Sequence, residues 1–401
     1  AGGEMLVRGR PVRRRHVFFL GGFDPKGASY TYGLYRTEAA RQSVVTGASY
    51  EVGPRIRHED GNTSWQVSSR TGELETEATI EYVRWDDIVR AHWPRTGWQV
   101  LVGSLRGYQA ALASASALRK VWRASPRTLV ALAYPALFWV LALGLGLACG
   151  MVAAWLAQRA GALPATAFWA CAGAVALAVW WCALAWERRL NTSWLLRIYQ
   201  FAGDWRRGRT PALVPRLDRL AQDIVRRLAD PAIDEVLVVG FSVGSLLAVS
   251  ALARVQERAA ANPDLSLDRL SLMTLGHCIP LLGLMAGADA YRAELARLGQ
   301  DPRVEWVDFS SPTDWGSFAL VDPLAICLGP ANAARPHTPR MLSPRFHTMF
   351  EPAVYAQMIG NKRRLHLQYL MAGERPALYD YFAITAGPAS LPDRVTGTTA
   401  P

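Results

Sequence analysis

From Thr128 to Gln158 the chain carries no charged side chain, and after a single Arg159 a second uncharged run extends from Ala160 to Trp186. A helix needs roughly 20 apolar residues to cross a bilayer core, and each run supplies at least that. Hydrocarbon offers no water to backbone N–H and C=O groups, so isolated runs of this length can satisfy them only as helices. The segment around Arg159, Gly161 and Pro164 is too short to hold a domain, which predicts an antiparallel two-helix transmembrane hairpin over residues 128–186. Trp139, Trp155, Trp169, Trp180, Trp181 and Trp186 are spread through it, and those near the ends suit the headgroup level. Gly146 and Gly150 form a G-x-x-x-G step that lets two helices approach closely.

Charge orients the hairpin. Arg119, Lys120, Arg123 and Arg127 precede it, Arg188, Arg189 and Arg197 follow it, and Arg159 stands alone in the turn. The positive-inside rule then places both flanks in the cytoplasm, with a bacterial inner membrane as the expected location. Across the whole chain 44 Lys+Arg outnumber 33 Asp+Glu, a formal +11 that reads first as a topology signal and second as attraction to anionic lipid. No nucleic-acid module accompanies it, so no nucleic-acid partner is expected. The five cysteines, Cys149, Cys171, Cys182, Cys278 and Cys327, are odd in number and contain no C-x-x-C pair, which argues against a disulfide framework or a zinc site. No metal-ligand spacing or phosphate-binding loop is present, so no cofactor is expected. The opening AGGEMLVRGR has no apolar stretch of the signal-peptide kind.

Removing the hairpin leaves residues 1–127 and 187–401, neither of which reads as a complete fold. Together they read as one α/β domain. His16–Leu20 is an apolar strand ending in Gly21 and Gly22, Ala78–Trp85 alternates like another, and Asp86–Trp93 has helical character. The stretch 50–69 holds two alternating runs around Asp60-Gly61-Asn62, the pattern of an antiparallel hairpin. After the apolar runs, 214–228 repeats at helical spacing, Glu235–Val239 is a buried-strand run, and strand and helix then alternate through 270–275, 289–298 and 304–309. Such alternation predicts a mostly parallel sheet with helices on both faces.

Directly after EVLVV stands Gly240-Phe241-Ser242-Val243-Gly244, followed by the strong helix former SLLAVSALARV. This is G-x-S-x-G between a strand and a helix. A nucleophilic serine needs a sharp turn there to project its hydroxyl from the sheet edge, and small residues two positions either side let strand and helix pack closely. The helix N-terminus adds amide N–H groups and a positive dipole where an oxyanion would form.

With this turn the chain resembles the lipase and esterase branch of the α/β-hydrolase superfamily, whose functional residues run serine, acid, histidine along the chain. The resemblance implies an oxyanion hole made by the Val243 amide and one from the loop after His16–Leu20, where Phe23 or Gly22 would supply it. That loop, Gly21 to Gly27, departs from the lipase His-Gly-Gly-Gly form. The resemblance also implies an acid just past a later strand. Asp314 fits that position, with Asp322 and Asp308 as alternatives. The family's base follows the serine, which sets aside His16, His58 and His92. Of the rest, His347, before the helix expected at 352–358, matches the family's placement. His337 and His366 remain alternatives; His366 follows a basic run and reads as a surface residue. His277, directly after a strand, is expected to line the pocket with Gly22.

The expectation is therefore a membrane-anchored serine hydrolase of acyl esters, with lipid-like substrates and the bilayer as partner. Ser242 would be its nucleophile, His347 its base and Asp314 the group orienting that base. An acyltransferase or thioesterase would use the same residues, and a non-catalytic membrane scaffold would keep the fold without convergence of the three.

Overall fold

The computed structural model describes residues 10–93, 115–162, 164–190, 192–332 and 339–396, with isolated positions between 99 and 109. Contacts divide the chain into two units. The first draws on the segment through Trp93, on residues through Thr128, and on the chain from Ala202 onward; the second contains Leu129–Phe201. The apolar unit thus runs past Trp186 to Phe201.

The first unit is built on a nine-stranded mixed sheet. Its strands are β1 (Arg14–Leu20), β2 (Ser49–Val52), β3 (Ile56–Arg57), β4 (Thr63–Thr71), β5 (Leu74–Tyr82), β6 (Glu235–Phe241), β7 (Leu270–Leu275), β8 (Glu305–Phe309) and β9 (Arg340–Leu342). The spatial order is β2-β4-β5-β1-β6-β7-β8-β9, with β3 paired to β4. From β5 to β9 every pairing is parallel, while β2, β3 and β5 run antiparallel to β4. The chain is α/β with a mostly parallel sheet; Asp60-Gly61-Asn62 turns β3 into β4 as expected, and the antiparallel part also includes β2 against β4 and a longer β4–β5 hairpin turned at Gly72-Glu73.

Burial explains the composition of the central strands. Every residue of β6 and β7 is buried. Leu237, Val239, Met273, Leu275, Val307 and Phe309 pack on one face with Tyr35, Tyr369, Tyr379 and Phe382. The alternating partners Val236, Val238 and Leu272 are equally buried on the other face. Both faces are therefore covered, which is why these strands read as continuous apolar runs. Each such side chain contributes roughly 1.5–3 kcal/mol relative to exposure.

In the second unit, Pro126–Arg159 and Phe168–Trp186 are helices long and apolar enough to cross a membrane. Only 11% and 6% of their most apolar windows are buried, so they are not a core hairpin packed within this chain. A Cβ on Gly150 would stand 2.3 Å from the Ala172 carbonyl, and one on Gly146 would stand 3.2 Å from that of Ala176. The two small residues thus let one helix backbone rest against the other, as the G-x-x-x-G step anticipates.

Candidate active site

Ser242 follows the last residue of β6 with φ 54°, one of three non-glycine residues with positive φ among those described. Serine in the left-handed region is strained by about 1–2 kcal/mol. Its amide donates to the Leu275 carbonyl (2.9 Å), its own carbonyl accepts from the Ser245 amide (3.1 Å) and hydroxyl (2.5 Å), and these bonds hold the turn. The flanking glycines are sterically required. A Cβ on Gly244 would fall 2.1 Å from the Leu20 carbonyl, and one on Gly240 would fall 2.8 Å from the Ser245 Cα. The helix Gly244–Ala261 begins at once, with Val243 at its N-cap. The Val243 amide has no acceptor among the described residues.

The loop after β1 lies against this turn. A Cβ on Gly22 would sit 3.4 Å from the Ser242 Cβ. The Trp85 indole donates to the Gly21 carbonyl (3.0 Å), and the fully buried Phe23 ring stacks on Trp93 at 5.8 Å. The loop that would supply the second oxyanion donor is thus pinned on either side of Gly22 and Phe23.

Asp314 is buried beyond β8 on the same sheet edge. Its Oδ2 accepts from His366 Nδ1 (2.8 Å) and from the Tyr369 hydroxyl (3.1 Å), and its Oδ1 from the Gly316 amide (3.1 Å). Burial alone would push this carboxyl up, but His366, Tyr369 and Gly316 outweigh it and hold it below the usual carboxylate range. An ionised Asp314 can only accept, so His366 donates to it from Nδ1. The His366 ring centroid lies 5.0 Å from that of Phe241, the residue before Ser242.

The histidine expected to pair with Asp314 is therefore corrected. His347 is exposed on the turn Phe346–Thr348, where its ring neighbour is Tyr355 at 6.3 Å, while His366 occupies the Asp314 carboxylate. The basic run before His366 misled the sequence reading. In the short helix Lys362–Leu367 the Lys362 and Arg363 side chains face solvent, whereas Leu365 and His366 turn into the core. The apolar residues around it, Leu365, Leu367, Tyr369 and Leu370, were the available signal. His337 lies outside the described residues.

His277 is fully enclosed rather than at an open wall. Its Nε2 donates to the Val321 carbonyl (2.9 Å) and its ring lies against Phe318. The alternative acids have structural roles. Asp322 caps the helix Pro323–Leu328 by accepting from the Leu324 and Ala325 amides, and Asp308 accepts from the Thr274 hydroxyl (2.7 Å) inside β8. One neighbour escaped the sequence reading: Cys278 places its Sγ 3.6 Å from the Ser242 Oγ. Among the described residues Asp60, Glu81 and Asp223 also cluster, but Glu81 already engages His16 (2.9 Å) and Asn62 (2.7 Å).

Comparison with protein-family models, with characterised proteins and with solved structures finds no match for this chain.

Proposed function

We propose that this chain is a membrane-anchored serine hydrolase of the α/β-hydrolase kind that cleaves acyl esters of lipid-like substrates. The observation that carries the reading is Ser242, held at φ 54° between a strand and a helix on the edge that also carries the buried Asp314–His366 pair. His366 would take the Ser242 proton through Nε2 as the hydroxyl attacks the ester carbonyl, and Asp314 would orient the imidazole and stabilise its cation. The Val243 amide, with Phe23 or Gly22, would hold the tetrahedral oxyanion. Protonation of the leaving alcohol by His366 leaves an acyl-enzyme, which water, activated by the same nitrogen, releases. The helices Pro126–Arg159 and Phe168–Trp186 would anchor the enzyme in the bilayer, with basic flanks facing the cytoplasm.

The test is labelling of the full chain by a fluorophosphonate probe. Labelling is expected in the wild type and in His347→Ala, and lost in Ser242→Ala and His366→Ala. A folded wild-type protein that takes no label, or Ser242→Ala that keeps it, overturns the assignment in favour of a non-catalytic scaffold.

A further inference from the structure

Beside the loop that follows β1, a cavity of about 370 Å³ opens between the ends of β1, β4 and β5, within the roughly 300–1,000 Å³ typical of small-molecule sites. Lys26, Arg55, Arg57, Arg84 and Arg90 line it, and Asp86 is its only carboxylate. Among the described residues only Arg90 of the five is ion-paired, to Asp86 at 2.5 Å. Arg55 donates to the Ser29 hydroxyl and Lys26 Nζ lies 4.0 Å from the Tyr30 ring centroid; among the described residues neither they nor Arg57 form an ion pair, and Arg84 has no carboxylate within ion-pair distance, though its charge helps to lower the Asp87 carboxyl. Like charges gathered around a concave surface repel one another and raise the local positive potential, which an incoming anion relieves. Arginine forks match the oxygens of phosphate two at a time, and three of the unpaired cations are arginines.

Position adds a second argument. Tyr82 ends β5 and Arg84 follows it, Lys26 caps the helix Gly27–Thr46 that comes after the β1 loop, and Thr63 opens β4 opposite Tyr82. The cavity therefore lies at the carboxyl ends of the parallel strands, the edge that also carries Ser242, where open α/β sheets bind their ligands. β1 separates β5 from β6, and β4 and β3 lie beyond β5; strand spacing puts the cavity about 10–20 Å along the edge from the serine turn. One amphiphilic molecule can reach both.

We propose that this cavity binds the phosphate group of a small anionic ligand. That this ligand is also the acyl substrate rests on the serine-hydrolase reading; binding of phosphate does not. The group would belong to a phospholipid headgroup or to a soluble phosphate-bearing acyl ester, and the shared chemistry is the phosphate.

The experiment measures binding of inorganic pyrophosphate to the full chain in detergent by titration calorimetry. Wild type is expected to bind, and Arg55→Gln/Arg57→Gln to bind about tenfold or more weakly, because two charged hydrogen-bond donors are lost. Arg57→Gln alone, whose side chain makes no described bond, should weaken binding severalfold and guards against a folding defect in the double variant. Equal affinity in wild type and variants, or no binding at millimolar pyrophosphate, overturns the proposal. Displacement of pyrophosphate by dihexanoyl phosphatidylglycerol supports it with a lipid headgroup as ligand, and failure to displace supports it with a soluble phosphate ester. Ser242→Ala should bind pyrophosphate like the wild type, so a wild-type chain that takes no probe label ends the hydrolase reading without touching the cavity, and a chain that fails to bind pyrophosphate leaves the hydrolase reading standing.

Discussion

The Sγ of Cys278 lies 3.6 Å from the Oγ of Ser242 and 3.6 Å from the Gly316 carbonyl, so a thiol stands between the serine turn and the Asp314 loop. Burial pushes that thiol up to about 12. At pH 8 the thiolate fraction is then about 10⁻⁴, too small for Cys278 to compete with Ser242 as a nucleophile. Iodoacetamide at pH 8 should leave Cys278 unmodified in the native chain, read by peptide mass spectrometry, and Cys278→Ala should keep its fluorophosphonate label. Rapid alkylation, or loss of the label, would make the thiol a participant.

Replacing Asp314 by Asn should lower ester turnover by about 10⁴, because an amide can donate to Nδ1 and so favours the wrong imidazole tautomer. Tyr369→Phe removes only one of three hydrogen bonds to the carboxylate and should cost about tenfold or less. Initial rates on a p-nitrophenyl ester check both. Unchanged turnover in Asp314→Asn would mean that the pair with His366 is structural.

The two glycines nearest the serine should separate stability from activity. Gly244→Ala drives a methyl into the Leu20 carbonyl and should cost about 3 kcal/mol or more, seen as an earlier melt. A methyl at Gly22 meets Ser242 at an ordinary 3.4 Å contact. Gly22→Ala should therefore melt like the wild type while turnover falls by about ten- to a hundredfold, since it crowds the place where the ester carbonyl would sit. An unaltered rate in Gly22→Ala would remove this loop from the reaction.

Asp308 carries a pH signature. Burial holds its carboxyl above the usual range, against the opposing effects of the neighbouring His277 and of hydrogen bonds from Ser310 and Thr274. The folded chain therefore keeps a proton that the unfolded chain releases, and this group's contribution to stability declines as pH rises from about 4 through the folded value. The melting temperature of Asp308→Asn minus that of the wild type should increase over that interval and level off above it. A difference independent of pH would show that Asp308 ionises normally.

Much of the sheet is legible because its signals are local. EVLVV and LSLMTL are apolar on both faces, and Asp60-Gly61-Asn62 marks the turn from β3 into β4. The turn at Ser242 is legible for the same reason, since strand, glycines and helix follow one another within a dozen residues. The partner of Asp314 is not. His366 lies 52 residues further on, in a helix of six residues whose outer side is Lys362 and Arg363. Periodicity cannot assign an inner side to so short an element, and the basic run outweighed Leu365 and Tyr369. Cys278 escaped notice because nothing near it in the chain marks a residue that only the packing of β7 against β6 brings to Ser242.

The left-handed backbone at Ser242 also bears on how such a chain would drift. Glycine or asparagine at that position would relieve the strain, so a lineage freed from selection on the hydroxyl gains by discarding it, whereas most substitutions elsewhere in this buried turn lose stability. If the hydrolase proposal holds, position 242 is where mutational pressure and catalytic need pull in opposite directions. Deep mutational scanning for folding alone should favour replacements there that a growth-linked screen for esterase activity would eliminate.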